Sequence, residues 1–113
     1  MNNEQRAMKL IKKYGLRPKV NHHSEIQMLL QKEIDDYQKG SSDYLRILCG
    51  MLYSLGFIED IPLIKKAKYS INMDVGAMID FDWIDPETWE CHEDSEREQL
   101  LASFEAYYQN YFN

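Results

Sequence analysis

"DYLRILCGMLYSLG", residues 43–56, is apolar on nearly every side, with its only charges, Asp43 and Arg46, in the first turn. A helix of that kind lies at the centre of a protein, covered by neighbours on several faces. Gly56 stands where a helix C-terminus favours glycine. Gly50 costs roughly 1 kcal/mol against alanine inside a helix, so its presence points to a close helix–helix contact. Cys49 in the same run reads as a small core residue.

Working back from this segment, residues 3–14 carry Ala7, Met8, Leu10, Ile11 and Tyr14 on a helical stripe that Gly15 stops. Arg17-Pro18 is a break, because a residue before proline is pushed out of the helical region. A second helix is expected from Ser24, a good N-cap with Gln27 three residues on. Ile26, Leu29, Leu30, Ile34 and Tyr37 form its apolar face, and Gly40-Ser41-Ser42 ends it.

Working forward, Asp60 and Pro62 form a helix-start signature. Ile61, Leu63, Ile64 and Ala67 face inward, and Lys65, Lys66 and Lys68 suit the C-terminal end. A short helix is expected from Asp74 to about Trp83, with Asn72 as its cap, until Asp85-Pro86 interrupts. The last helix, about 94–111, carries Leu100, Leu101, Phe104, Tyr107, Tyr108, Tyr111 and Phe112 at helical spacing. No stretch alternates with a period of two. The pattern predicts an all-α fold of five or six short helices in antiparallel pairs, a helical bundle or a HEAT-like stack. Its 113 residues suit a single helical domain.

No apolar run reaches the roughly 18 residues of a membrane span, and the charged first fifteen residues lack the apolar core of a secretory signal. The expectation is a cytoplasmic protein with no membrane partner. Two cysteines, Cys49 and Cys91, are too few for a disulfide scaffold and lack CxxC spacing. The net charge of −6 is unevenly spread. Residues 1–20 hold six basic side chains against Glu4, while residues 80–98 hold nine acidic ones against Arg97. Such an acidic pole repels nucleic acid and attracts basic partners, so nucleic acid is not an expected partner. The basic N-terminus reads as the solvated face of the first helix.

"INMDVGAMIDFDWIDPETWECHEDSE", residues 71–96, concentrates the chemistry-bearing residues. Asp74, Asp80, Asp82 and Asp85 supply oxygen donors suited to magnesium or calcium. The EF-hand pattern fails, since a loop opened by Asp80 would need a ligand at Ile84 and glycine at Asp85. Cys91-His92 gives two soft donors, whereas zinc needs four, and His22 and His23 are far off in sequence. Paired-carboxylate catalysis needs a cleft that separates two pKa values, and nothing here signals one. His22-His23 reads as a solvent-facing turn, and Ser24, Ser41 and Ser42 as caps and turns. There is no glycine-rich phosphate loop, GxSxG or HExxH. Neither an enzyme nor a cofactor is expected.

Trp83 reads as closing the core. Asp82, Asp85, Glu87, Trp89, Glu90, Glu93 and Asp94 have no visible structural duty and form the expected partner-binding surface. An aromatic supplies binding energy there, and the carboxylates speed encounter with a basic protein.

Residues 42–80, about a third of the chain, carry a further pattern: an apolar helix, Gly56-x-x-Glu59-Asp60, Leu63-Ile64-x-x-Ala67-Lys68, and Asn72-x-Asp74 followed by Ile79-Asp80. It resembles a group of small, mostly uncharacterised bacterial HEAT-like helical proteins, themselves similar to toxin-immunity proteins. The resemblance implies a non-enzymatic protein-binding module that neutralises a cognate bacterial toxin through the acidic, tryptophan-containing surface. Two alternatives remain open. One is a small metal-dependent enzyme or metal sensor built on the Asp cluster at 74–85. The other is a self-associating subunit, a homodimer for example, that buries its excess C-terminal aromatics.

Overall fold

The computed structural model describes residues 1–90 and 96–111. They form an all-α helical bundle: α1 (Asn3–Tyr14), α2 (His23–Asp35), α3 (Ser42–Leu55), α4 (Ile61–Ser70), α5 (Met73–Met78) and α6 (Glu96–Tyr111), with no strand among the described residues. Single 3₁₀ turns at Val20–His22 and Ile58–Asp60 lead into α2 and α4, and two more, Phe81–Ile84 and Pro86–Trp89, join α5 to α6.

α3 is the central helix, as its all-round apolar character requires. Nine of its residues are buried, and it packs against α1, α2, α5 and α6. Gly50 sits at its crossing with α6, where a Cβ would overlap the ring of Phe104. Gly56, at φ 83°, ends the helix and returns its N–H to Leu52. Cys49 is fully buried, and that burial pushes its thiol pKa up and keeps it unreactive.

The first helix starts where Asn2 and Gln5 exchange side-chain and backbone hydrogen bonds, Gln5 N–H to Asn2 Oδ1 at 2.8 Å and Asn2 N–H to Gln5 Oε1 at 3.0 Å. The second does not start at the expected cap. Ser24 lies inside α2 and is exposed, and the Val20–His22 turn supplies the entry instead. Local hydroxyl chemistry favours Ser24, but the turn hands the chain into the helix with His22 at the N-cap position, two residues earlier.

The expected helix from Asp74 to Trp83 stops at Met78. Asn72 caps it as expected, accepting from Val75 N–H at 2.9 Å. Its far end is closed by Lys68, whose Nζ donates to the carbonyls of Gly76 (2.6 Å) and Ile79. A cation that satisfies the last carbonyls lets the chain leave the helix without orphaned acceptors. Ile79 then turns extended, and Phe81–Ile84 begins a new, tighter turn.

Candidate functional site

The two consecutive 3₁₀ turns at residues 81–89 hold the acidic pole and are fixed from beneath. Trp83 is fully buried, its ring 6.0 Å from that of Tyr53 and 5.4 Å from that of Phe104. Trp89 packs edge-on against Tyr53 at 5.0 Å. Tyr53 donates its hydroxyl to the Thr88 carbonyl at 2.8 Å. The Thr88 hydroxyl reaches back to the carbonyls of Asp82 and Asp85, and Asp85 caps the second turn by accepting from Glu87 N–H at 3.1 Å. The turns are therefore stitched to α3 and to each other.

Sequence reasoning placed the binding aromatic at Trp89. In the structure Trp89 is only 6 % exposed and anchors the turn from inside. Its large apolar ring gains more from the Tyr53 contact than from a charged, wet surface. The exposed aromatic is Phe81, 63 % exposed and flanked in sequence by Asp80 and Asp82. Spacing carried the missed signal. Ile79 and Trp83 are both buried, and Phe81 lies midway between them, where the chain has turned its side chain outward.

Of the other expected contact residues, Asp82 and Asp85 are half-buried and Glu87 and Glu90 exposed. Glu93 and Asp94 lie outside the described residues, as do Cys91, His92 and Phe112. Asp80 also borders the turns and pairs with Arg46 at 3.4 Å. The Arg46 guanidinium lies 5.0 Å from the centre of the Trp83 ring, 5.1 Å from that of Tyr107 and 5.3 Å from that of Tyr108. The ring faces and the Asp80 carboxylate together provide its electrostatic surroundings. Arg97 ties the start of α6 to the end of α3, donating to the carbonyls of Tyr53 (2.9 Å) and Ser54 (2.8 Å), where a helix terminus favours a cation.

The aspartates at 74, 80, 82 and 85 are not brought together. No group of three or more His, Cys, Asp or Glu side chains among the described residues could hold a metal ion.

Two polar clusters escaped the sequence reading. Asp60, 1 % exposed, accepts from His23 Nε2 and Gln27 Nε2, both at 2.6 Å, and the His23 ring stacks on Phe57 at 4.2 Å. His23 therefore joins α2 to the start of α4 instead of facing solvent. Glu33 is also buried and accepts from Arg6, from the Ser41 hydroxyl at 2.7 Å and from Gln38 N–H at 3.0 Å. Burial alone would push the Glu33 pKa up. The donors at Arg6, Gln38 and Ser41 outweigh it and hold the pKa below the ordinary carboxylate value.

No protein-family model, curated protein or solved structure matches the chain. No helix among the described residues is long and apolar enough to cross a membrane.

Proposed function

We propose that the protein is a non-enzymatic protein-binding module, of the kind that neutralises a bacterial toxin, and that its acidic double turn caps a basic partner. The observation carrying this reading is Phe81: a large exposed aromatic, flanked by carboxylates, on a turn that two buried tryptophans hold still. An aromatic presented on a preorganised backbone loses little entropy on binding. The surrounding carboxylates contribute chiefly to encounter rate and to rejection of acidic partners.

The test compares the tagged protein with two variants, Phe81→Ala and the double charge reversal Asp82→Lys with Glu87→Lys, all checked for folding by circular dichroism. Each is used as bait against a lysate of the source cells, and the basic proteins retained are identified by mass spectrometry. The wild-type chain should retain a basic protein at low salt and release it as salt rises. Phe81→Ala should weaken that complex by about 2 kcal/mol or more, the cost of losing a central aromatic anchor. Retention that neither variant alters would remove the reading.

A second reading has its own support. Tyr107 and Tyr111 on α6 are both exposed and stack on each other at 5.7 Å, a pair that a second copy of the chain could cover. Sedimentation over a range of concentrations tests it: a mass that stays monomeric at every concentration removes self-association.

A further inference from the structure

We propose that the groove between α1 and α2, on a different part of the molecule from the acidic turns, binds a small amphipathic anion: a short aliphatic carboxylate, with Lys9 as its counter-charge. The groove has a volume of about 270 Å³ and its lining is mostly apolar, with Leu10 and Tyr14 from α1, Leu29 from α2 and Tyr44 from α3. Three cationic side chains, Arg6, Lys9 and Lys13, border it together with Met1, against one carboxylate, Glu25.

Two of those cations are already engaged. Arg6 bonds Glu33, with its guanidinium 4.1 Å from the centre of the Tyr44 ring. Lys13 pairs with Glu25 at 2.9 Å. Lys9 is exposed and makes no ion pair or side-chain hydrogen bond among the described residues. The groove therefore combines an apolar lining with an uncompensated positive charge, which favours an anion with a hydrocarbon tail over a neutral or cationic molecule of the same size.

Size narrows the occupant further. The volume lies just below the roughly 300 Å³ at which drug-sized pockets begin, and a helix about 10 Å across does not fit within it. A short-chain carboxylate does. Octanoate is the probe.

The experiment is a titration of the full chain with octanoate followed by amide chemical shifts, with octan-1-ol and octylammonium as neutral and cationic controls. The expected result is saturable shifts confined to α1, the α2 residues facing it and the surroundings of Tyr44, with weaker binding of both controls. Lys9→Glu, at an exposed position, should weaken octanoate about fivefold, the scale of reversing one partly screened charge. Leu29→Asn should weaken octanoate and octanol alike by removing part of the apolar lining. The proposal is overturned if millimolar octanoate gives no saturable shifts, or if the shifts scatter over the surface. It is equally overturned if octylammonium binds as well as octanoate, or if Lys9→Glu leaves the affinity unchanged.

Discussion

Trp89 donates its indole N–H to the backbone carbonyl of Trp83, 3.1 Å away. Two tryptophans six residues apart thus close one loop over Tyr53, and the polypeptide between them has little freedom. With both rings held inside, Glu87 is left exposed and Asp85 half-buried. Burial of the rings and display of the charges are two consequences of the same packing.

Replacing Trp89 tests that linkage. Trp89→Ala should destabilise the fold by about 3–5 kcal/mol, the usual range for emptying a large buried aromatic site. Trp89→Phe keeps most of the ring but leaves the buried Trp83 carbonyl without its donor, at about 1–3 kcal/mol. Urea denaturation followed by far-UV circular dichroism reads both. A Trp89→Ala midpoint equal to wild type would mean that the double turn is a detachable flap and not part of the cooperative core.

Gly50 offers a sharper packing test. Because a Cβ there would overlap Phe104, Gly50→Ala should cost about 1–3 kcal/mol through overpacking, despite the better helix propensity of alanine. Combining it with Phe104→Leu should recover part of the loss, giving a favourable coupling between two residues in contact. Strict additivity in the double mutant would show that α6 shifts freely on α3.

How far these features could be read in the sequence depended on the range of the interaction that sets them. The central position of α3 was legible because its apolar residues cover every face, and Gly50 because a glycine inside such a helix needs a packing reason. Asn72 was legible as a cap because capping acts over three residues. The end of α5 was not: it is set by Lys68, on the preceding helix, reaching two carbonyls. Nor was the burial of Trp89 and the exposure of Phe81, which depend on where Tyr53 lies once α3 is packed. His23 looked like half of a polar turn because its partner, Asp60, is 37 residues away.

The His23–Asp60 contact gives a third prediction. His23→Ala removes one of the two side-chain donors that Asp60 has among the described residues and also unstacks Phe57. A buried carboxylate short of a donor costs about 1–3 kcal/mol or more. The paired change of His23→Ala with Asp60→Ala should therefore be less damaging than the sum of the single changes, because the carboxylate left unsatisfied by the first is absent. A double-mutant cycle on urea midpoints measures this coupling. A coupling of zero would mean that the imidazole contributes only its stacking area.

Glu33 gives a prediction with a pH signature. Its folded-state pKa is depressed by the donors around it, against the opposing effect of burial. A group whose pKa is lower folded than unfolded contributes stability that is fully present above the unfolded value, near 4.5. That contribution is lost as the pH falls through the depressed folded value. At neutral pH, Glu33→Gln should cost about 3–5 kcal/mol, because it leaves the half-buried Arg6 guanidinium without its counter-charge. The gap between wild type and variant should then narrow as the solution is acidified below the ordinary carboxylate range, since protonated Glu33 and glutamine carry the same charge. Urea midpoints of the two proteins at a series of pH values check both halves of this statement. A gap that stays constant from neutral to acid pH would show that Glu33 holds α2 to Ser41 by hydrogen bonding alone, with no contribution from its charge opposite Arg6.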